Sequence, residues 1–269
     1  PEVTKNSPFK CGIEKEKTIN IRRGKNDFYD YTDPYISYEN FPVVFLNMGK
    51  IAAAGGYWDG RLNLHSTEND SIIDTYYNHT ETITCLISDD KENFLISGTK
   101  SGECILWEIS PELTKLSPKF HFFDHDNRIN HIFISKELKL FATASDDGKI
   151  NIYNYVIGKL MRTIHHPDKL PIKTVALTSS PLPSVLFFSD EDRSLYSYSI
   201  NGRLLEQLVE ESQHMMSPLI LKDLNFNEVF VYGNEKGELY MRELPFLQIR
   251  KKWTVSENSP VITILLSND

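Results

Sequence analysis

The sequence is poor in cysteine, in basic charge and in long apolar runs, and each shortage closes off a class of protein. Of 269 residues, 3 are cysteine: Cys11, Cys85 and Cys104. So small and scattered a set builds no disulfide framework, and reduced thiols of the cytosolic kind are expected. Asn78-His79-Thr80 and Asn69-Asp70-Ser71 match the glycosylation triplet, but nothing else looks secretory. Lys and Arg number 29 against 37 Asp and Glu, a net charge of −8. That balance argues against a nucleic-acid partner, which would need basic surface to neutralise phosphates. It also argues against docking the whole chain on an anionic membrane by charge. The longest apolar stretches, 43–46 and 261–266, are far too short to span a bilayer. No signal-peptide pattern is visible. Helical periodicity sustained over three turns is absent. So are a nucleophile elbow, a P-loop, a dinucleotide fingerprint and a metalloprotease motif. Both ends, Pro1 and Asp269, are expected to be cuts within a longer protein.

What is there is aromatic side chains, 13 Tyr, 15 Phe and 3 Trp, and a phrase that returns. A tight turn leads into a short strand in WDGRLNLHS from Trp58, KSGECILWEI from Lys100, DDGKINIYNY from Asp146, DEDRSLYSYSI from Asp190 and EKGELYMREL from Glu235. The turn position falls at Gly60, Gly102, Gly148, Arg193 and Gly237, so successive phrases lie 42, 46, 45 and 44 residues apart. Two short apolar segments precede each phrase and one follows it, punctuated by Gly, Asn, Asp and Pro, which reads as strands joined by tight turns. A period of roughly 40–45 residues with four strands per unit is the mark of a β-propeller. The expected blades are 41–77, 79–123, 125–166, 172–210 and 217–255, with part of another in 259–269. Residues 1–40 are expected to form a strap or linker, with a possible closing strand at 16–23. Closure removes exposed sheet edges, and seven blades are expected in the intact protein.

The blade pattern resembles WD repeats. In that family a His opens the blade, a Ser or Thr lies on the second strand, an Asp in the following turn and a Trp on the third strand, joined by hydrogen bonds. The resemblance assigns these places to His125, Thr143, Asp147 and Tyr153. It assigns them to His79, Ser97 and Trp107 in the blade before, with Ser101 replacing the Asp. Blade 41–77 keeps Asp59 and has His65 for Trp. The last two blades depart from the pattern, with Arg193 where Gly is expected and Tyr198 and Arg242 where Trp is. Three further stretches, GGYWDGRLNLHSTENDSI from Gly55, NHTETITCL from Asn78 and SLYSYSINGRLLEQ from Ser194, resemble, in the same order, the propeller that follows the BEACH domain of neurobeachin-like proteins. The resemblance implies a propeller beside a BEACH domain in a large, non-catalytic, cytoplasmic scaffold. Such scaffolds associate peripherally with endomembranes, bind proteins, and act in vesicle trafficking and protein sorting. A WD-repeat adaptor subunit of another cytosolic complex is the alternative, and a propeller enzyme or metal-binding protein is the alternative of another class.

Candidate chemistry is sparse. His121, Asp124, His125, Asp126 and His131 crowd together, but neighbouring strand residues face opposite ways and no zinc spacing is matched. Neither a metal nor another cofactor is expected, nor any catalytic residue. His165-His166-Pro167-Asp168 reads as a connection between blades, and the basic stretches 21–25 and 248–253 as a linker and an outer strand. The turns between second and third strands share one rim with the connections between blades. There Trp58, Asp126, Arg128, Asp146, Asp190, Asp192 and Glu235 form the candidate partner-binding surface, suited to a basic or mixed peptide. Trp58 is either an exposed anchor or packed beneath the strap.

Overall fold

The structure is a computed structural model that describes residues 42–46, 49–54, 59–69, 71–89, 91, 93–210, 215–223, 227–256, 259–261 and 264. Twenty strands form five antiparallel sheets, each of four strands in sequence order. Blade 1 holds β1 (Val43–Leu46), β2 (Lys50–Ala53), β3 (Leu62–Ser66) and β4 (Ser71–Tyr76). Blade 2 holds β5 (Ile83–Ser88), β6 (Phe94–Thr99), β7 (Cys104–Ile109) and β8 (Leu116–Phe122). Blade 3 holds β9 (Ile129–Ser135), β10 (Leu140–Ser145), β11 (Lys149–Asn154) and β12 (Lys159–His165). Blade 4 holds β13 (Thr174–Thr178), β14 (Ser184–Ser189), β15 (Ser194–Ser199) and β16 (Leu204–Val209). Blade 5 holds β17 (Met215–Lys222), β18 (Glu228–Asn234), β19 (Glu238–Glu243) and β20 (Gln248–Thr254). No helix occurs among the described residues. The first strands β1, β5, β9, β13 and β17 lie beside one another in that order, so they line the axis and each blade radiates outward. This is the WD-type β-propeller architecture, with five blades in view.

The second strands explain the packing. β10 (LFATAS) and β14 (SVLFFS) are buried along their whole length. A strand covered on both faces needs a continuous apolar run, not alternation. Alternation instead sorts residues between two neighbours. Ile105 and Trp107 of β7 join the core shared with blade 1, whereas Cys104 and Leu106 join the core shared with blade 3. Val185 and Phe187 of β14 face blade 3, and Leu186 and Phe188 face blade 5. Each interface buries one large ring or more, among them Trp107, Phe141, Tyr153, Tyr196 and Tyr232. Outer strands such as β20 carry exposed side chains along most of their length. Residues 1–40, and with them the expected strap and closing strand, lie outside the described residues. Of the expected partial blade at 259–269, Val261 is described, and its N–H donates to the Asn234 carbonyl (3.0 Å).

The turn glycines fix where the rim sits. Gly102 has φ +91°, and a Cβ there would stand 2.5 Å from the His125 carbonyl oxygen. Gly148 likewise lies against the backbone of Lys169. Only glycine gives both the left-handed conformation and the close approach. At Gly60, Gly102, Gly148 and Gly237 the turn between second and third strands is thereby pressed onto the connector leaving the same blade.

Candidate functional site

That contact between turn and connector is held from beneath by a chain of buried hydrogen bonds. In blade 2, His79 Nδ1 lies 3.0 Å from Glu103 Oε2 and His79 Nε2 lies 2.6 Å from Ser97 Oγ. Trp107 Nε1 donates to the same Ser97 oxygen at 2.8 Å. A carboxylate only accepts, so the imidazole donates from Nδ1 and accepts at Nε2 from the Ser97 hydroxyl. The donors then run in one direction, from indole to hydroxyl to imidazole to carboxylate. Ser101, expected in the acid's place, instead bonds the Thr99 hydroxyl (3.1 Å). Glu103, beyond the turn glycine, supplies the acid because its longer side chain reaches back. Burial would raise its carboxyl, but the hydrogen bond from His79 holds it below the ordinary value.

Blade 3 repeats the pattern with one difference. His125 Nε2 lies 2.7 Å from Thr143 Oγ1, and His125 Nδ1 lies 3.0 Å from Asp147 Oδ2. Asp147 also accepts from the N–H groups of Asp126 (3.0 Å) and Lys149 (2.9 Å). Burial alone would raise this carboxyl, yet these donors hold it at about 2. Tyr153, placed by the resemblance where Trp would donate, does not bond Thr143. Its ring stacks on Phe141 at 4.8 Å, and its buried hydroxyl lies towards Asp124 and Asn151 instead. In blade 1 no such chain forms among the described residues. Asp59 serves its own turn by accepting from the Arg61 N–H (3.3 Å). His65 is buried opposite Ile51 of β2, its Nε2 is unbonded, and burial lowers its pKa.

The last two blades replace the pattern with other chemistry. In blade 4, Tyr196 donates to Asp192 Oδ2 (2.7 Å) and accepts from Gln207 (3.0 Å). His166, expected in a mere connection, is buried, lies 3.3 Å from the same Asp192 oxygen and packs edge-on against Tyr196. Asp192 was expected on the binding rim. It is half-buried, and the Tyr196 hydroxyl holds it. In blade 5, Arg242 donates to Tyr232 Oη (2.8 Å), to Glu210 Oε1 (2.6 Å) and to the Leu247 carbonyl (2.8 Å). Tyr232 donates to that same Glu210 oxygen (2.7 Å). Tyr232 pairs with Tyr240 as Ser97 pairs with Ile105, and Arg242 and Trp107 each lie two residues further along. Guanidinium, phenol and carboxylate therefore stand where blade 2 has indole, hydroxyl and imidazole, and the donors run the same way. Sequence reasoning marked Arg242 only as a departure. The missed signal was a buried arginine with Glu210 just before the blade.

Above these chains lies the rim. Asp126 is exposed and paired with Lys149. Asp146 is paired with Lys173 at 2.7 Å and accepts from Asn130 (2.8 Å). Arg128, Asp190 and Glu235 are half-buried on the same face, and Trp58 lies outside the described residues. In blade 3 the rim therefore presents acids paired with lysines. No group of three or more His, Cys, Asp or Glu among the described residues could hold a metal ion. The His121, His125 and His131 side chains separate as alternation requires. His121 lies near Glu103 (3.7 Å), His125 sits in its chain, and half-buried His131 accepts from the Val175 N–H (3.4 Å).

Residues 35–266 match the neurobeachin beta propeller domain. The chain belongs to that family. This neurobeachin-type propeller is similar to BEACH domain-containing protein B of Arabidopsis thaliana, with 21% identity over 79% of this chain and 9% of that protein. It is similar to BEACH domain-containing protein lvsD of Dictyostelium discoideum, with 23% identity over the same 79% and 9%. It is also similar to the pre-rRNA-processing protein IPI3 of Candida albicans, with 25% identity over 81% of this chain and 44% of that one. The chain thus spans about a tenth of the two BEACH proteins. Among solved structures, the computationally designed Ika8 protein superposes with a TM-score of 0.64 at 17% identity, over 85% of this chain and 65% of Ika8, which shows the fold.

Proposed function

We propose that this propeller is a non-catalytic protein-interaction platform within a large BEACH-family protein acting in vesicle trafficking and protein sorting. The observation that carries the reading is the family match over 35–266, with two BEACH domain-containing proteins among the relatives. The geometry supports a platform. Five turns are clamped onto connectors by buried networks or glycine contacts, so a partner meets a preorganised surface and ordering it costs little. The rim's ion pairs suit a partner of mixed charge. An adjacent BEACH domain, a cytoplasmic location and indirect association with endomembranes belong to the same proposal.

The test is affinity capture from cell lysate with the full chain, wild type beside Trp58→Ala/Asp126→Lys/Asp190→Lys, read by mass spectrometry and circular dichroism. Coat, tethering or sorting proteins captured by wild type and lost in the folded variant are the expected result. Recovery of an unrelated complex by both proteins overturns the trafficking reading.

A further inference from the structure

The face opposite the rim carries a second feature, where blades 2 and 3 meet. A notch of about 370 Å³ opens there. Its apolar wall is Phe94, with the buried Leu106 behind it, and Tyr155, whose ring centre is 4.6 Å from that of Phe94. Val156 stands at its lip, 54% exposed, and Ile157 beside it is 59% exposed. These two apolar residues occupy a β-turn, where Gly, Asn, Asp and Ser are the usual choice. The turn is not loose. The Asn154 side chain accepts from the N–H groups of Val156 (2.9 Å) and Ile157 (3.2 Å), and Gly158, at φ +64°, lies against the Phe120 ring.

Among the described residues that line the notch, lysines outnumber carboxylates by three to two. Lys91, Lys119 and Lys136 line it. Two carboxylates line it as well. Asp89 is buried and turned inward, accepting from Asn93 N (2.6 Å), Phe94 N (3.2 Å) and Asn93 Nδ2 (3.2 Å). Glu108 is paired with Lys119 across 3.4 Å of exposed surface, where such a pair is readily exchanged for another. Asp90 and Glu92, on either side of Lys91, lie outside the described residues.

We propose that this notch is a docking site for a short acidic peptide segment of a protein partner, with one large apolar side chain as its anchor. The volume suits a side chain of Phe, Leu or Trp size against Phe94 and Tyr155. Carboxylates on either side of the anchor would meet the lysines. The site goes beyond the rim reading and uses different residues.

The probes are fluorescein-labelled synthetic 12-residue peptides with a central Phe, Leu or Trp among Asp and Glu, and counterparts with Lys and Arg instead. Each is titrated with the full chain by fluorescence anisotropy. Acidic peptides are expected to bind and basic ones not. Val156→Asp is expected to weaken binding about tenfold, as loss of an interface anchor does. Lys91→Glu/Lys119→Glu should weaken it by a similar factor and flatten its salt dependence. These side chains reach solvent, and thermal melts check that the variants fold. Absence of binding, equal binding of basic peptides, or binding untouched by both variants overturns the proposal. Asp126→Lys, on the rim, leaves peptide binding unchanged. Loss of rim capture with peptide binding intact therefore counts against the rim alone, and the reverse against the notch alone.

Discussion

Ser97 and Thr143 occupy the same place in successive blades and carry different loads. Ser97 joins His79 to Trp107, whereas Thr143 bonds His125 and not Tyr153. Removing one partner of a buried polar group costs about 1–3 kcal/mol for each group stranded. Ser97→Ala strands two groups, and Thr143→Val strands one. Urea denaturation should show the larger loss for Ser97→Ala, and equal losses would refute the assigned load. Asp147 adds a pH signature. Its carboxyl titrates at about 2 when folded, against 3.8 ordinarily. A carboxyl lowered on folding contributes stability above its unfolded pKa and loses it as pH falls through the folded value. The window is therefore about pH 4 down to pH 2, and the contribution above it is about 2 kcal/mol. Asp147→Asn should be less stable than wild type at pH 6, and the gap should close towards pH 2. A gap that stays constant would mean the carboxylate charge is not what stabilises the turn.

At the scale of the blade, the repeat was legible in sequence because turn and strand return together, with glycine at four of the five turn positions. The blade-opening histidines, Ser97, Trp107 and Asp147 were legible because they stand at the family's spacing. Glu103, His166 and the Glu210–Tyr232–Arg242 triad were not, because hydrogen bonding conserves donor direction and reach rather than residue type. A glutamate beyond the glycine can stand for an aspartate before it, and a guanidinium can donate where an indole would. Blade 5 offers the sharpest consequence. Arg242→Met would leave the Glu210 carboxylate buried without its counter-charge, which costs about 3–5 kcal/mol. Glu210→Gln in the same chain removes the stranded charge and should recover part of that loss. A double-mutant cycle by chemical denaturation measures the coupling, and additive losses would show that the pair does not act as a unit.

At the scale of the molecule, each blade is a rigid spacer between two faces of different chemistry. β6 begins at Phe94 in the notch and ends at Thr99 under the rim. At about 3.3 Å per residue, five steps separate the two by about 17 Å. Neither Asp126 nor its ion-pair partner Lys149, which stands at the rim end of β11, lines the notch. Sites so far apart with no common partner should behave independently. Asp126→Lys and Val156→Asp combined should therefore change stability by the sum of their separate effects, to within about 0.5 kcal/mol. A departure well beyond that would mean that blade 3 transmits strain from one face to the other. A scaffold built this way could then hold one partner only at the expense of a second. Additivity would instead let rim and notch be occupied together, with the propeller setting the distance between what they hold.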